Sequence, residues 1–337
     1  MPKNITGAWR GFSLQVQSAL ATPAAVDTLL YFEGEPMEPE PENFYVNTEE
    51  ITGELLPTAK RLITKKFAGK HKGKAHPHLV ALFASMAMGK DTVTQVGATQ
   101  AYRHKIEIDK TVVELPTRTM VENDGHVQNR FRGVACSAFT LSAERGQFVE
   151  FEADLIGSGH EVADATAKPA RVDESYLIYG DAKLTRGGTF DGEVITGGDD
   201  LSAPLVRFSL GFKNNGRGAY LFGDPSGNVG SLRRGSMYEV DFEATLEIED
   251  ATHRAALLAG NEYVMSIPII GGVADGIANY TIEAILPRVA YAEAKKGVDE
   301  GTLVVAAKFA VMADPVHGGL ILNVINQRQP SYLAVAA

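Results

Sequence analysis

The chain has 337 residues, 45% of them hydrophobic and 22% charged, the composition of a soluble globular protein with room for one large or two medium cores. Its net charge of −10 excludes a protein built to grip nucleic acid by neutralising phosphates, although the same charge can repel nucleic acid. The single cysteine, Cys136, excludes an intrachain disulfide and fits a reducing compartment.

Residues 1–28 are weakly periodic and read as an N-terminal arm that packs on another part of the assembly or wraps a neighbour, with Trp9 and Phe12 as candidate anchors. This stretch has no apolar signal core, and no run is long enough to span a membrane. The chain is therefore expected to be made and kept in the cytoplasm, or to leave by lysis, without membrane insertion. Residues 33–54 are rich in Glu and contain no Lys or Arg, and Pro36, Pro39 and Pro41 favour extended backbone. The next stretch reverses the sign: Lys60, Arg61, Lys65, Lys66, Lys70, Lys72 and Lys74 occur with no Asp or Glu from 55 to 90. Gly69 and Gly73 make this read as a flexible basic loop. The acidic and basic blocks are either two solvated loops or two faces of a head-to-tail contact.

Pro77 to Met88 reads as a helix: Pro77 suits its first position, Leu79, Leu82, Phe83 and Met86 share a face, and Gly89 ends it. Period-two alternation starts at Tyr102 and returns over Phe148–Leu155, where Glu150, Glu152 and Asp154 face away from Phe151. Residues 158–175 read as a linker. Beyond it, Leu177–Leu184 and Leu205–Phe212 read as strands, 186–203 as a long surface loop, and Asn214–Gly216 and Gly223–Gly227 as turns. Tyr238–Ile248 alternates cleanly, with Phe242 on one side and Asp241, Glu243 and Glu247 on the other. A short helix at Thr252–Leu258 and strands at 261–270, 279–290, 301–312 and 319–326 complete the chain. Many strands with one short helix per half predict a mostly β fold: two β-sandwich or barrel units, each flanked by a helix.

Several strings recur in the same order. Leu29–Phe32 is echoed by Tyr176–Tyr179, His78–Phe83 by His253–Leu258, Glu114–Arg118 by Ile285–Arg288, and Gly146–Phe151 by Gly318–Leu322. Self-similarity in fixed order points to an architectural protein. The units would span 29–157 and 176–327, with a tail at 328–337. The alternative is that two unrelated β-rich halves share common strand and turn patterns.

Motifs for chemistry are weak. His71, His76 and His78 lie among lysines that repel a cation, so they read as solvated histidines rather than a metal site. Gly223-Asp224-Pro225-Ser226-Gly227 lacks the Lys and the strand-to-helix context of a phosphate cradle. Cys136 reads as a small core residue. The acids on the two alternating strands lack the aromatic-ringed cleft of a glycosidase and read as a solvated sheet face. No catalytic, metal or cofactor-binding residue is expected, and no cofactor.

The order of acidic segment, basic segment, Pro77–Gly89 helix, Tyr102-Arg103-His104 and Glu114–Met120, followed by Arg132–Ser142 leading into Gly146, resembles the major tail tube proteins of long-tailed bacteriophages. The resemblance covers most of 29–160 and, more loosely, 176–326. It implies β-sandwiches with a flanking helix that join into rings. The rings stack as a virion tail tube through which DNA leaves, without specific binding. Single-unit members close as six and two-unit members as three, and the duplication favours three. Tail terminator, tape measure and tail-tip proteins are the implied partners.

Heterologous contacts that close and stack require two unlike faces. The candidate inter-ring contacts are Glu33, Glu35, Glu38, Glu40 and Glu42 against Lys65, Lys66, Lys70, Lys72 and Lys74, which would steer one ring onto the next. The candidate lumen-facing acids are Glu150, Glu152, Asp154, Asp241, Glu243 and Glu247. Competing expectations are a β-sandwich adhesin or capsid-surface protein, which would expose aromatics such as Tyr220, Phe222 and Tyr238, and a carbohydrate-active enzyme using paired acids.

Overall fold

The computed structural model describes residues 11–24, 30–33, 40–47, 60–123, 127–164, 172, 174–224, 226–235, 237–248 and 252–334. The first strands are β1 (Gly11–Val16), β2 (Leu30–Glu33), β3 (Glu40–Asn47) and β4 (Lys60–Lys74). Helix α1 (Pro77–Met88) leads to β5 (Gly89–Gln95), β6 (Tyr102–Ile108) and β7 (Arg118–Asn123). The long strand β8 (Val127–Glu144) is followed by β9 (Glu150–Gly157) and β10 (Gly159–Asp164). Four short pieces come next: β11 (Thr185–Arg186), β12 (Thr189–Phe190), β13 (Ile195–Thr196) and β14 (Asp199–Asp200). Then come β15 (Leu205–Lys213), β16 (Arg217–Tyr220), β17 (Val229–Arg233) and β18 (Glu239–Glu247). Helix α2 (Thr252–Ala259) precedes β19 (Glu262–Asp275), β20 (Ala278–Asp299), β21 (Thr302–Val311) and β22 (Ile321–Asn326). The fold is mostly β, as the alternating patterns predict.

Two very long strands organise the sheets. On β8, β7 holds one edge along Gln128–Val134, while β10 and then β9 run along the other. From Ala138 to Glu144 the first edge passes to β15. Strand β20 is used the same way: β19 holds one edge up to Ala290, and β21 and β22 share the other. Each long strand carries an irregularity at a matching place, Cys136/Ala138 against β9 and Tyr291/Glu293 against β21. Such an extra residue bends a strand and raises its twist, which lets one strand serve two sheets. Gly133 makes a second bend in β8 with φ +58°, a conformation that favours glycine.

The pairings join β3, β4, β9, β8, β15, β18, β21 and β20, in that spatial order, into one antiparallel array. A second link between the halves is β6 against β22. Aromatic rings cross the β8–β15 junction on the core face. Phe83, Phe151, Phe139, Phe212 and Tyr238 follow one another with centroid spacings of 6.0, 5.9, 5.3 and 5.6 Å. Such rings contribute both buried area and specific geometry, so the two halves share one core.

Helix α1 occupies the predicted residues. Pro77 is at its start and Gly89 at its end is left-handed, its N–H donating to Ser85 O. Every residue of α1 is buried rather than one face alone, because β6, β8, β20 and β22 pack around it and its sequence is apolar on all sides. Helix α2 packs on β20.

Several expectations need correction. The basic segment is a strand, β4, not a loop, held between β3 and β9. In its second half Lys70, Lys72 and Lys74 are exposed, while Phe67 and His71 face the core. Part of the supposed arm is β1, which sits between β2 and β7 and buries Phe12 and Leu14 completely. Trp9 lies outside the described residues. Of the supposed linker, Gly159–Asp164 is β10, paired to β8. Within Leu177–Leu184 there is a 3-10 turn at Tyr179–Asp181 instead of a strand. The loop 186–203 contains the hairpin β12–β13, and β11 and β14 extend the edge of β19. The repeated strings are also misaligned. Glu114–Arg118 leads into β7, whereas Ile285–Arg288 lies inside β20. Gly146 lies in the turn before β9, whereas Gly318 precedes β22.

Candidate assembly surface

Alternation along the strands of the array sorts side chains onto two faces. Phe139, Leu141, Phe151, Ala153, Phe208, Leu210, Phe242, Ala244, Ala307 and Phe309 are buried on one. The opposite face carries charges in rows, and the registers bring opposite signs together. Lys70 lies across from Asp154 and Lys72 across from Glu152. Lys70 pairs with Glu152 and also lies 3.8 Å from Asp154, and Lys72 lies 3.6 Å from Glu150. Further along, Lys213 is 3.8 Å from Asp241 and Lys308 is 2.9 Å from Glu243. Arg145 reaches Glu247 from the β8–β9 turn, and Lys295 is 2.5 Å from Glu293. The hydrogen bonds to Glu152 and Glu243 hold the Lys70 and Lys308 ammonium groups above the ordinary lysine range.

All the candidate lumen acids therefore share one solvent-facing sheet face, but that face is not simply acidic. It alternates cations and carboxylates. Lys70, Lys72 and Lys74, expected at a separate contact with the next ring, stand on this same face beside Glu150, Glu152 and Asp154. Lys65 is half-buried, and its backbone N–H donates to Gly227 O at 2.7 Å. Glu33, Glu40, Glu42 and Lys66 are placed by backbone on β2, β3 and β4, while Glu35 and Glu38 lie outside the described residues. Sequence reasoning missed the ion-pair rows because most partners, such as Lys70 with Glu152 and Lys308 with Glu243, are far apart in the chain and cannot be matched without the register.

The array has two ends. Strand β3 pairs with β4 alone among the described residues. From Tyr291 to Asp299, β20 pairs with β21 on one edge, and no described strand holds the other. On β8 the corresponding edge is the one that β15 occupies. An unpaired strand edge is a template for another strand.

Elsewhere, converging polar groups are sealed rather than open. His104 lies 3.1 Å from Asp91, and Asp91 also accepts from Ser331 Oγ at 2.9 Å and from the Tyr332 N–H at 2.7 Å. Buried Tyr332 contacts His78 through its hydroxyl and Arg118 through its carbonyl oxygen. This ties the segment around 328–334 onto α1, β5 and β7. Burial pushes the Arg118 guanidinium down to about 9 and the His78 imidazole down to about 3. His71, His76 and His78 are buried, not solvated as expected. His71 faces the core from β4, its ring stacked on Phe83 and edge-on to Phe12. His76 and His78 flank the start of α1 beside Glu174. Cys136 is fully buried, and burial raises its thiol pKa, which makes it a core residue rather than a nucleophile. Of the aromatics that a binding surface would use, Phe222 is fully exposed, Tyr220 partly so, and Tyr238 lies in the ring stack.

A family model described as phage tail tube protein matches residues 13–313. No curated protein matches the chain.

Proposed function

Since the chain belongs to the phage tail tube protein family, we propose that copies of it close into rings by joining the open edge of β20 to β3 of the next copy, and that these rings stack into the tail tube. The observation that carries this reading is the β8–β15 junction. Inside one chain it already makes the contact that the ring needs between chains. Strand β15 stands to β18 as β3 stands to β4, and β18 stands to β21 as β4 stands to β9. On this view residues 29–157, extended through β10 to Asp164, and 176–327 are two copies of one tube unit, interlocked through β8–β15 and β6–β22. Three chains then give a ring with pseudo-sixfold symmetry.

The charged sheet face would line the bore, because a closed sheet turns one face inward and the other face is occupied by core. Most of its lysines, Lys70, Lys72, Lys213, Lys295 and Lys308, are already engaged by carboxylates, which leaves little net attraction for phosphate. DNA could then slide without being held. We place the assembled protein in the virion tail, made first in the host cytoplasm. There it would meet tail terminator, tape measure and tail-tip proteins and serve as the conduit for DNA ejection. We assign it no catalysis and no cofactor.

Negative-stain electron microscopy of the purified, concentrated chain tests this. Hollow rings or tubes whose end views average to three large masses are expected. Monodisperse single chains at every concentration would count against self-assembly through these edges.

A further inference from the structure

The hairpin between β20 and β21 is built as a protruding tip. Glu300 and Gly301 form its two-residue turn with φ of 45° and 86°, the positive values that suit the twist of a tight hairpin. Val298 and Leu303 face each other just behind the turn, 69% and 59% exposed. The tip is thus an apolar pair capped by the carboxylates of Asp299 and Glu300.

At the other end of β21 lies an apolar groove of about 730 Å³. It is lined by Val113, Met237, Val240 and Met312, with Lys110 and Arg234 contributing cations. Met237 is 85% exposed and Val113 62% exposed. Exposed apolar side chains gathered in this way at each of two places mark candidate contact sites. Tip and groove match in polarity and are opposite in charge. They also lie at opposite ends of one strand, about 30 Å apart, so a shift along that strand brings the tip of one copy to the groove of the next.

We propose that the Val298–Leu303 tip of one copy seats in the Met237 groove of a second copy, and that this is the axial contact between stacked rings. The proposal rests on the ring reading above and replaces the acidic and basic blocks as the stacking surfaces. It assigns ring closure to the strand edges and stacking to the tip and groove, so the two can fail separately.

The test uses the full chain with single variants at exposed positions, Val298→Asp and Met237→Asp, and the pair Glu300→Lys with Lys110→Glu. Concentrated samples are examined by electron microscopy, and tubes are quantified by pelleting. Each Asp variant should still form rings but raise the concentration needed for tubes by at least about tenfold, since each loses a buried apolar contact. Glu300→Lys should shorten tubes, and adding Lys110→Glu should restore them. Normal tubes from Val298→Asp or Met237→Asp would overturn the proposal. So would loss of rings in these variants, which would assign the tip to ring closure. A wild-type chain that forms neither rings nor tubes would instead sink the ring reading, and this inference with it.

Discussion

Lys295 sits on the open stretch of β20, on the charged face, 2.5 Å from Glu293. The intrachain junction fixes what should face it in a ring. The matching irregularities equate Ala138 of β8 with Glu293 of β20, hence Thr140 with Lys295. The same frame equates Asp154 with Lys308, and therefore Lys70 with Glu243 and Ala68 with Asp241. Gly211 faces Asp241 as Glu40 faces Ala68, so Glu40 takes the place of Gly211. Because Gly211 faces Thr140, Glu40 of one copy should face Lys295 of the next, with Glu42 across from Glu293. Lys295 would then be a cation set among acids.

Lys295→Glu replaces an attractive cross-strand pair by a repulsive one. Opposite charges across an antiparallel pair contribute about 0.2–1 kcal/mol and like charges cost a similar amount, so each junction loses roughly 0.4–2 kcal/mol. A ring of three has three such junctions, for a loss of roughly 1–6 kcal/mol. The side chain is 76% exposed in the single chain, which favours the lower half of that range. At about 1.4 kcal/mol per decade, ring formation should weaken by about fivefold to a few hundredfold. Sedimentation velocity across a concentration series measures this directly. The pair Glu40→Lys with Lys295→Glu should recover most of the loss. Wild-type ring formation by Lys295→Glu, or no recovery by the pair, would refute the transferred register.

Further outcomes follow from the core and the charged face. Burial holds the His71 imidazole down at about 4, so as pH falls the unfolded chain, with histidine near 6.5, takes up its proton first. Stability from this group is complete above pH 6.5 and is lost progressively between 6.5 and 4, by at most roughly 3 kcal/mol. His71→Phe should flatten the acid limb of a thermal-melt pH series; an unchanged limb would show that His71 is not responsible. A Cβ at Gly133 would meet Ser158 Oγ at 2.3 Å and Leu20 Cδ1 at 2.5 Å, so Gly133→Ala should cost at least about 1–3 kcal/mol in denaturant melts. Glu152→Lys with Glu243→Lys should leave tube yield intact and slow DNA ejection from reconstituted phage, because each substitution frees a lysine and adds another. Ejection at the normal rate would remove this face from the bore.

Much of the fold was readable where local signals agreed. Pro77 and Gly89 bracket α1, and the alternation over Glu239–Glu247 and Glu150–Gly157 sets which side of β18 and β9 faces the core. Strand β4 was not readable, because Lys70, Lys72 and Lys74 with intervening His and Gly look like a soluble basic tract until β9 supplies the carboxylates opposite. Strand β1 was hidden for a related reason: six residues between β2 and β7 carry too short a pattern to distinguish from an arm. Of the strings matched between the halves, only the pair on α1 and α2 falls on like elements, and the others do not. What the halves share is the placement of a strand irregularity and of pairing partners, neither of which leaves a string of similar residues. The same limit applied to the assembly surface. Its acids were found by alternation, while the open edge of β20 and the groove beside Met237 exist only once distant strands have paired.

A cross-linking measurement probes ring closure most directly. Directly opposed residues on antiparallel strands have Cα atoms about 4.5–5.5 Å apart, within disulfide range. The variant Glu40→Cys with Lys295→Cys, oxidised after concentration, should therefore form disulfides between chains, and Cys136 is buried out of reach. On a non-reducing denaturing gel the account predicts products that stop at three chains. Rings that form without any cross-link, or a ladder that runs on past three, would contradict it.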